Sequence, residues 1–313
     1  MQPQPTEVSD FVSYWQSVRA AVEQVPTVAT VTTEEDKDPT WRTSSVGWTQ
    51  PSGLKTSGLM TSGLRTNETR IGGWLIEPRT PATCAVVCGH GYGGRDGASG
   101  HELPTGAIGI FPCMPGFHRS AQEGIPNESA GHVIHGIEHR DTYLIRDCVE
   151  ATWRAFDVLA QRYPHLPLGY LGSSFGGGVG ALALPWEPRC AAAALEVPTF
   201  GNHPLRLMIP CTGSGESVRL YHHQHPEVTK VLAYYDAAVA AKHIRCPTIV
   251  APADIDPAVP APGQWSVAEA IPGAVIHRLS SGHPTPDAEA AAAWKAYCSF
   301  VSKCLFRRAE CVQ

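Results

Sequence analysis

The chain has 313 residues, of which 43% are hydrophobic and 17% are charged. It is long enough to bury a sizeable core, as one large α/β domain or two small ones, and its composition excludes an intrinsically disordered protein. The formal net charge of −5 favours neither nucleic acid nor an anionic membrane surface as a partner, and no apolar run is long enough to span a bilayer.

The N-terminus and the cysteines indicate the compartment. Residues 1–5 contain neither a basic segment nor an apolar stretch, so we expect no signal peptide. The ten cysteines are scattered, and Cys84 and Cys88 form the one close pair. Both lie in an apolar run and the chain has no C-x-x-C, which favours buried free thiols over a metal site. We therefore expect a cytoplasmic protein with reduced cysteines.

Residues 1–70 are predicted to form a helix and a β extension. Apolar residues at helical spacing follow Asp10 and predict an amphipathic helix that ends near Pro26. Residues 32–40 are polar and acidic and predict a loop. Ser-Gly-Leu then recurs with a period of five over residues 52–64. Because this period fits neither a strand nor a helix, we interpret it as a local duplication in a β-hairpin region.

The remaining chain alternates strands with helices. Helices are predicted at 141–161, 175–184 and 286–305, and strands at 71–77, 84–89, 108–111, 169–171, 190–197, 247–252 and 275–279. This alternation predicts an α/β fold with a mainly parallel sheet and an active site at the carboxyl ends of the strands. Residues 198–240 are rich in Pro and His, and we expect an irregular insertion there that covers the site. We interpret residues 1–313 as a single domain.

Residues 172–176 match the pattern G-x-S-x-G and carry the strongest catalytic signal of the chain. The pattern is weak by itself, but here a short apolar strand precedes it and a glycine-rich helix follows. This context is typical of the nucleophile elbow of α/β-hydrolases, a sharp turn that holds a serine hydroxyl clear of the sheet. Glycines are needed because strand and helix nearly touch there. We predict that Ser174 is a nucleophile.

A serine nucleophile needs a histidine base and a carboxylate that orients the base, and in this fold they follow in the order Ser, acid, His. Asp254 and Asp256 both follow a later predicted strand, and spacing alone does not separate them. His283 follows the next strand after a glycine turn and is the predicted base. His277 lies inside that strand and is expected to be structural.

Backbone amides must stabilise the oxyanion of the intermediate. One is expected from Phe175, the residue after the nucleophile, and the other from the loop at 90–94 that follows an early strand. The glycines of this loop allow its amides to turn inward, and Tyr92 is the predicted second donor.

No metal or cofactor site is predicted. His222, His223 and His225 lie in a polar stretch without an accompanying ligand cluster, so we interpret them as part of a solvated loop. The sequence has no dinucleotide-binding glycine motif after an early strand, and no phosphate-binding P-loop.

A series of different short motifs runs from about Asp10 to His283. They comprise Asp10-Phe11 with Trp15, His90-Gly91-Tyr92, Gly94-Arg95, His135-Gly136-Ile137, Tyr143, Arg146, Arg154-Ala155, residues 172–178, Glu187-Pro188-Arg189, Tyr235-Asp236-Ala237, Cys246-Pro247, and Asp256 ahead of Val259-Pro260. Together they resemble the acetyl xylan esterase/cephalosporin C deacetylase family, carbohydrate esterase family 7.

The resemblance implies an α/β-hydrolase fold and the roles predicted above for Ser174, His283 and the two backbone donors. It favours Asp256 over Asp254, because the acid of that family lies just before a similar Val-Pro run. It also implies removal of small acyl groups, chiefly acetyl, from esters of sugars or related alcohols without a cofactor. A homo-oligomer is implied too, commonly a hexamer whose active sites face an internal cavity.

Three departures from the family pattern bear on specificity. Phe175 replaces a Gln after the nucleophile, residues 114–119 replace an R-G-Q-G run, and Pro284 replaces the Glu after His283. These changes leave the acyl and alcohol preference open. Two alternative functions also remain, namely a broad-specificity carboxylesterase or peptidase of the same fold, and a non-catalytic binding member.

Overall fold

The computed structural model describes residues 3–34, 38–53 and 68–310. Its strands are β1 (Thr30–Thr33), β2 (Trp41–Pro51), β3 (Glu68–Pro78), β4 (Cys84–Gly89), β5 (Ala107–Pro112), β6 (Leu168–Ser173), β7 (Cys190–Glu196), β8 (Thr248–Ala251), β9 (Ala253–Ile255), β10 (Val275–Ile276) and β11 (Leu279–Ser281). Over the described residues, nine of them form one sheet in the order β1-β2-β3-β5-β4-β6-β7-β8-β10, and β9 pairs with β11.

The sheet has an antiparallel and a parallel part. Strands β1, β2, β3 and β5 pair with one another in antiparallel fashion. From β5 through β4, β6, β7 and β8 to β10, every pairing is parallel. Because parallel strands end at the same edge, the loops after β4, β6 and β8 converge there.

Helices cover both faces of the sheet. They are α1 (Phe11–Glu23), α2 (Ser129–His132), α3 (Leu144–Arg162), α4 (Phe175–Ala183), α5 (His203–Arg206), α6 (Ser214–Gln224), α7 (Thr229–Leu232), α8 (Ala237–Ala241), α9 (Ala261–Ala270) and α10 (Asp287–Glu310). Alternate residues of β4 enter two apolar clusters: Ala85 and Val87 pack with α1, α3 and α4, whereas Val86 and Cys88 pack with α10. Burial on both faces explains why β4 is a continuous apolar run.

The predicted N-terminal helix is confirmed as α1, which ends three residues before Pro26. Phe11 and Trp15 are fully buried on its inner face. The Trp15 indole N–H donates to the carbonyl of Tyr234 at 2.8 Å, so the helix is fixed to the segment that precedes α8. Of the period-five repeat, Ser52 and Gly53 belong to the described residues and the rest lies outside them.

The prediction of one strand over 275–279 is wrong. The structure divides it into β10 in the main sheet and β11 beside β9, and the predicted loop around Asp254 is strand β9. Pro252 explains the division, because a proline has no N–H to donate and ends β8 at Ala251. The pairing resumes beyond it, where the N–H of Leu279 donates to the Pro252 carbonyl at 3.0 Å.

Residues 198–240 are helical where we expected irregular chain. They contain α5, α6, α7 and the start of α8, and His222 and His223 lie on α6 instead of in a loop. Two of the four prolines that suggested a loop lie at helix starts, Pro204 in the first turn of α5 and Pro226 at the start of a 3₁₀ turn, where a missing N–H costs nothing.

The long helix expected from 141 begins at Leu144 as α3. Residues 139–143 form hydrogen-bonded turns, and Tyr143 is extended at the helix start. Within the ranges that the structure covers, none of the helices combines the length and apolar character that a membrane span requires.

Candidate active site

Ser174 lies in the sharp turn between β6 and α4. Its backbone has φ 54° and ψ −111°, a conformation that costs a non-glycine residue about 1–3 kcal/mol. Backbone hydrogen bonds hold it: the N–H of Ser174 donates to Glu196 at 2.8 Å, and its carbonyl accepts from Gly178 at 3.0 Å and from Thr199 at 3.2 Å. The surrounding strands and helix therefore hold Ser174 in this strained backbone conformation.

Three elements, β4, β6 and α4, come so close at this turn that side chains on their glycines would collide. A Cβ on Gly176 would lie 2.6 Å from the carbonyl carbon of Gly89 at the end of β4, and a Cβ on Gly172 would lie 2.6 Å from the carbonyl oxygen of Gly176. The glycines of the motif are thus required by the close approach of β4, β6 and α4.

His283 lies on the loop after β11, where the sequence places it, with φ 39°. Its Nε2 is 2.9 Å from the Ser174 hydroxyl, and its Nδ1 is 2.8 Å from Asp256 Oδ2. The fold thus brings together three residues separated by 27 and 109 positions along the chain. His277 lies between β10 and β11 and packs edge-on against Tyr297, with ring centroids 5.7 Å apart.

The two candidate acids, Asp254 and Asp256, make different contacts. Asp256 is 9% exposed and hydrogen-bonds to His283, whereas Asp254 pairs with Arg278 at 2.7 Å on the surface. Asp256 Oδ1 also accepts from the backbone N–H groups of Ala258 and Val259, each at 2.9 Å. Burial opposes its ionisation, but the hydrogen bonds from His283 and these amides hold the pKa of Asp256 below its usual value.

Gln264, on α9, is a site residue that the sequence analysis missed. It is fully buried, and its Nε2 donates to Asp256 Oδ2 at 2.8 Å and to the carbonyl of Val259 at 2.7 Å. Its Oε1 accepts from the N–H of Ala253 at 2.8 Å. It therefore fixes the Asp256 carboxylate relative to the strand before it and the helix after it. A single glutamine eight positions after an aspartate gives no sequence signal for this role.

The predicted oxyanion loop passes directly beside the nucleophile. A Cβ on Gly91 would lie 3.8 Å from the Cβ of Ser174, and Gly94 turns the loop with φ +72°. Phe175 opens α4, so its N–H belongs to the first turn, where helical amides have no intrahelical acceptor. Both predicted donors, Tyr92 and Phe175, thus lie next to Ser174.

His90 holds this loop in place and was also missed. Its Nε2 accepts from the N–H of Met114 at 2.9 Å, so the proton is on Nδ1, which donates to the carbonyl of Gly91 at 2.7 Å. Burial lowers the pKa of His90 to about 4, so the ring is neutral at physiological pH. Within the residues that replace the family's R-G-Q-G run, Met114 therefore supports the predicted oxyanion loop.

The Phe175 side chain points into the protein interior. It is fully buried and stacks on the Tyr92 ring, with centroids 4.0 Å apart and planes 16° apart. Phe200 and His132 meet it edge-on at 6.1 and 5.6 Å. The departure at position 175 thus contributes to an aromatic cluster behind Ser174, which joins the turn between β6 and α4 to the loop that carries Tyr92.

No group of three or more His, Cys, Asp or Glu side chains within 3–34, 38–53 and 68–310 is arranged to hold a metal ion. His222 and His223 share α6 with their rings 6.4 Å apart. His225, which follows the helix, stacks on Tyr221 at 4.5 Å.

Comparisons with known proteins identify the family and the fold. A family model described as acetyl xylan esterase (AXE1) matches residues 2–271. The acetyl esterase Axe7A of Xylanibacter ruminicola is 26% identical over 122 residues, which make up 38% of this chain and 28% of that protein. The chain therefore aligns with about a quarter of this curated relative.

Two solved structures share the whole architecture. The acetyl xylan esterase from Paenibacillus sp. R4 has a TM-score of 0.76 at 21% identity, and the match covers 95% of this chain and 97% of that one. Acetyl xylan esterase 1 from Thermoanaerobacterium sp. JW/SL YS485 has a TM-score of 0.76 at 19% identity, covering 96% of each chain. These likenesses confirm the α/β-hydrolase fold that the sequence predicts.

Proposed function

The chain belongs to the acetyl xylan esterase (AXE1) family, and from this premise we propose that it is a serine esterase that removes acetyl groups from esters of sugars or related alcohols. The observation that carries the proposal is the unbroken series of hydrogen bonds from Ser174 through His283 to Asp256, with distances of 2.9 and 2.8 Å. A serine hydroxyl, a histidine and a buried carboxylate in this order are the parts of an acyl-transfer site.

The proposed first half-reaction forms an acyl-enzyme. His283 Nε2 takes the proton of the Ser174 hydroxyl as the oxygen attacks the ester carbonyl. The Nδ1–H of His283 donates a hydrogen bond to the Asp256 carboxylate, which selects the productive tautomer of His283 and stabilises its imidazolium form. The backbone amides of Tyr92 and Phe175 stabilise the oxyanion, and the alcohol leaves with the proton from His283.

The second half-reaction returns the free enzyme. Water donates a proton to His283 while its oxygen attacks the acyl carbonyl, and the Ser174 oxygen leaves with that proton. The carboxylic acid is released. The Asp256 carboxylate is held by fixed amide donors throughout, so the site needs little reorganisation between the steps.

We propose acetyl as the acyl group and a sugar as the alcohol because the named relatives are acetyl or acetyl xylan esterases. The oligomeric state is proposed from the sequence resemblance. We expect a homo-oligomer, a hexamer in particular, located in the cytoplasm. The segment 198–240 is proposed to cover the site, and its support is that it begins at the turn of Ser174, where the N–H of Thr199 donates to the Ser174 carbonyl at 3.2 Å. Light scattering on the purified chain tests the oligomer, because a monomer at micromolar concentration contradicts it.

A substrate panel tests the activity and separates it from the alternative functions. The enzyme should hydrolyse 4-nitrophenyl acetate faster than the butyrate, and release acetate from acetylated xylo-oligosaccharides. Equal turnover of long acyl chains indicates a broad carboxylesterase, and turnover of aminoacyl nitroanilides indicates a peptidase. A fluorophosphonate should label Ser174, as located by peptide mass spectrometry. Absence of both labelling and turnover in folded protein would indicate a non-catalytic member.

A further inference from the structure

Arg206, at the end of α5, is a buried cation whose guanidinium has no partner in the described chain. The residue is 5% exposed. Over residues 3–34, 38–53 and 68–310, neither Nε nor either of the two Nη atoms makes a hydrogen bond. A buried arginine stays charged, and a buried charge without a partner strongly destabilises a protein. Among the described residues, the guanidinium is therefore open to an anionic partner.

The carboxylate of Asp236 acts on the charge of Arg206 but is already committed to other donors. Asp236 is buried, and its Oδ1 accepts from the backbone N–H groups of Asn202, Ala238 and Val239. Its Oδ2 accepts from the N–H of His203 at 2.6 Å. Asp236 thus caps α8 and fixes the start of α5.

Small residues leave room for the guanidinium. A Cβ on Gly215, in the first turn of α6, would lie 2.6 Å from Nη2 of Arg206. A Cβ on Gly263, at the start of α9, would lie 3.4 Å from its Cγ and Cδ. The arginine therefore reaches between the N-terminal turns of two helices, where the amide dipoles also favour an anion.

Phe200 connects this group to the proposed active site. The Arg206 guanidinium lies over its ring, 5.8 Å from the centroid, and the ring meets Phe175 edge-on at 6.1 Å. The residue before it, Thr199, donates its N–H to the carbonyl of Ser174. Contacts through the Phe200 and Phe175 rings thus link Arg206 to the turn of Ser174.

A second donor without a partner lies on the same cluster. The Tyr92 hydroxyl is buried and makes no hydrogen bond within the described ranges, while its ring stacks on Phe175. Burial raises the pKa of this hydroxyl, and the charge of Arg206 acts against that shift. We call Arg206, Tyr92 and Phe200 the Arg206 pocket.

The buried histidines nearby add acceptors without adding charge. His132 donates Nε2–H to the Pro115 carbonyl at 2.9 Å, and His203 donates Nε2–H to the Tyr235 carbonyl at 3.1 Å. Each leaves an Nδ1 lone pair without a partner among the residues described. Burial lowers the pKa of both rings to about 3, so both are neutral.

We propose that the Arg206 pocket binds a carboxylate carried by the ester substrate, with Arg206 and the Tyr92 hydroxyl as its donors. A planar guanidinium pairs with a carboxylate through two parallel hydrogen bonds, and one arginine balances one negative charge. This subsite rests on the proposed esterase function and deepens it: the preferred ester is anionic, with the charge on its acyl part or on its alcohol part.

Matched pairs of substrates test the subsite and distinguish its two sources. Monomethyl succinate against dimethyl succinate places the charge on the acyl part, and 4-acetoxybenzoate against 4-acetoxybenzamide places it on the alcohol part. The wild type should favour the anionic member of one pair. Arg206→Met should reduce that preference about 30-fold through KM, leave the neutral members within about threefold, and Arg206→Lys should keep part of it.

Arg278→Met is the matched control, because it removes the same charge from an exposed arginine that pairs with Asp254. It should leave the preference unchanged. If Arg206→Met retains the wild-type preference in both pairs, or if the wild type has none, the subsite is refuted while turnover of 4-acetoxybenzamide still upholds the esterase. An equal loss of preference in Arg278→Met also refutes it.

Stability provides an independent readout. Because Arg206 is unpaired, Arg206→Met should keep the melting temperature or raise it, and 10 mM succinate or benzoate should raise that of Ser174→Ala but not of Ser174→Ala/Arg206→Met. A fall of several degrees in Arg206→Met would mean that the arginine has a structural partner. Equal stabilisation by inorganic phosphate would mean an unspecific anion site. Either result overturns the proposal, even if the esterase assays fail.

Discussion

Two polar clusters adjoin Phe175, and they differ in how their polar atoms are paired. In the first, Asp256 accepts four hydrogen bonds, and His283 bonds both to it and to Ser174. In the second, the Arg206 pocket, the guanidinium and the Tyr92 hydroxyl have no partner in the part of the chain that the structure covers.

The difference separates two tasks. A fully paired network keeps one geometry whatever is bound, which suits groups that must be aligned before substrate arrives. Unpaired buried donors destabilise the free protein until a ligand supplies the acceptor, which suits selection among ligands. Removing members of the paired network should therefore reduce catalysis for every substrate, whereas changes in the pocket should alter preference.

The largest effect is expected at the nucleophile. Ser174→Ala should reduce kcat about 10⁵-fold for all esters, because the hydroxyl that forms the acyl-enzyme is lost. Thermal unfolding should be nearly unchanged, since the backbone bonds of this turn involve no side chain. Steady-state kinetics and calorimetry measure the two quantities, and activity near the wild-type level would disprove the assignment of Ser174.

The second largest loss of activity is expected when Asp256, the carboxylate of the paired network, is replaced. Asp256→Asn should reduce kcat about 10⁴-fold, because an amide can hydrogen-bond to the wrong tautomer of His283 and does not balance an imidazolium charge. Asp254→Asn is the matched control, since Asp254 pairs with Arg278 at the surface, and it should stay within about twofold. Equal losses in the two variants would contradict the placement of the acid.

Gln264 tests whether the pairing around the acid holds the geometry. Gln264→Met keeps a similar volume but leaves the Ala253 N–H and the Val259 carbonyl without partners. We expect a loss of about 3 kcal/mol in the free energy of unfolding. Urea denaturation measures it.

Activity in Gln264→Met should fall about tenfold in kcat, because Asp256 loses a donor that fixes its carboxylate against His283. Gln16→Met, on the exposed face of α1, controls for the change of side chain. A drop in stability with an unchanged kcat would limit Gln264 to a structural role.

The smallest effect concerns the neutral histidines beside the two clusters. Burial lowers the pKa of His90 to about 4, and of His132 and His203 to about 3. The unfolded chain, with histidines near pKa 6.5, then binds more protons than the folded one between about pH 4 and 6. Stability should therefore fall as pH decreases below about 6.5, by up to about 1.4 kcal/mol per pH unit for each histidine.

His90→Asn should remove the contribution of one histidine to the pH dependence of the free energy of unfolding. The asparagine amide can still donate to the Gly91 carbonyl. Urea denaturation at several pH values between 4.5 and 6.5 measures the slope. His101→Asn, at an exposed histidine, should leave the slope as in the wild type. The same slope in the His90 variant would show that His90 is not held neutral.

Local patterns determined much of the candidate site. The strand, glycine turn and helix around Ser174 depend on neighbouring residues alone, so the elbow was readable from the sequence. The glycine loop at Tyr92 and the position of His283 after a late strand followed from the order of elements in this fold. Helix bounds were less accurate at 198–240, because prolines at helix starts read as loop signals.

The sequence by itself determined the fold class, the family, Ser174 and His283, because these depend on short-range spacing and on the order of elements. Spacing left two aspartates open and only the family resemblance favoured Asp256. The tertiary structure supplies the physical reason, since the pairing of β9 with β11 directs Asp254 to Arg278 and leaves Asp256 buried beside His283. It also decided that Gln264 supports the acid and that Arg206 is unpaired. Hydrogen-bond pairing inside a core depends on every element that packs around it, and no local spacing carries that information.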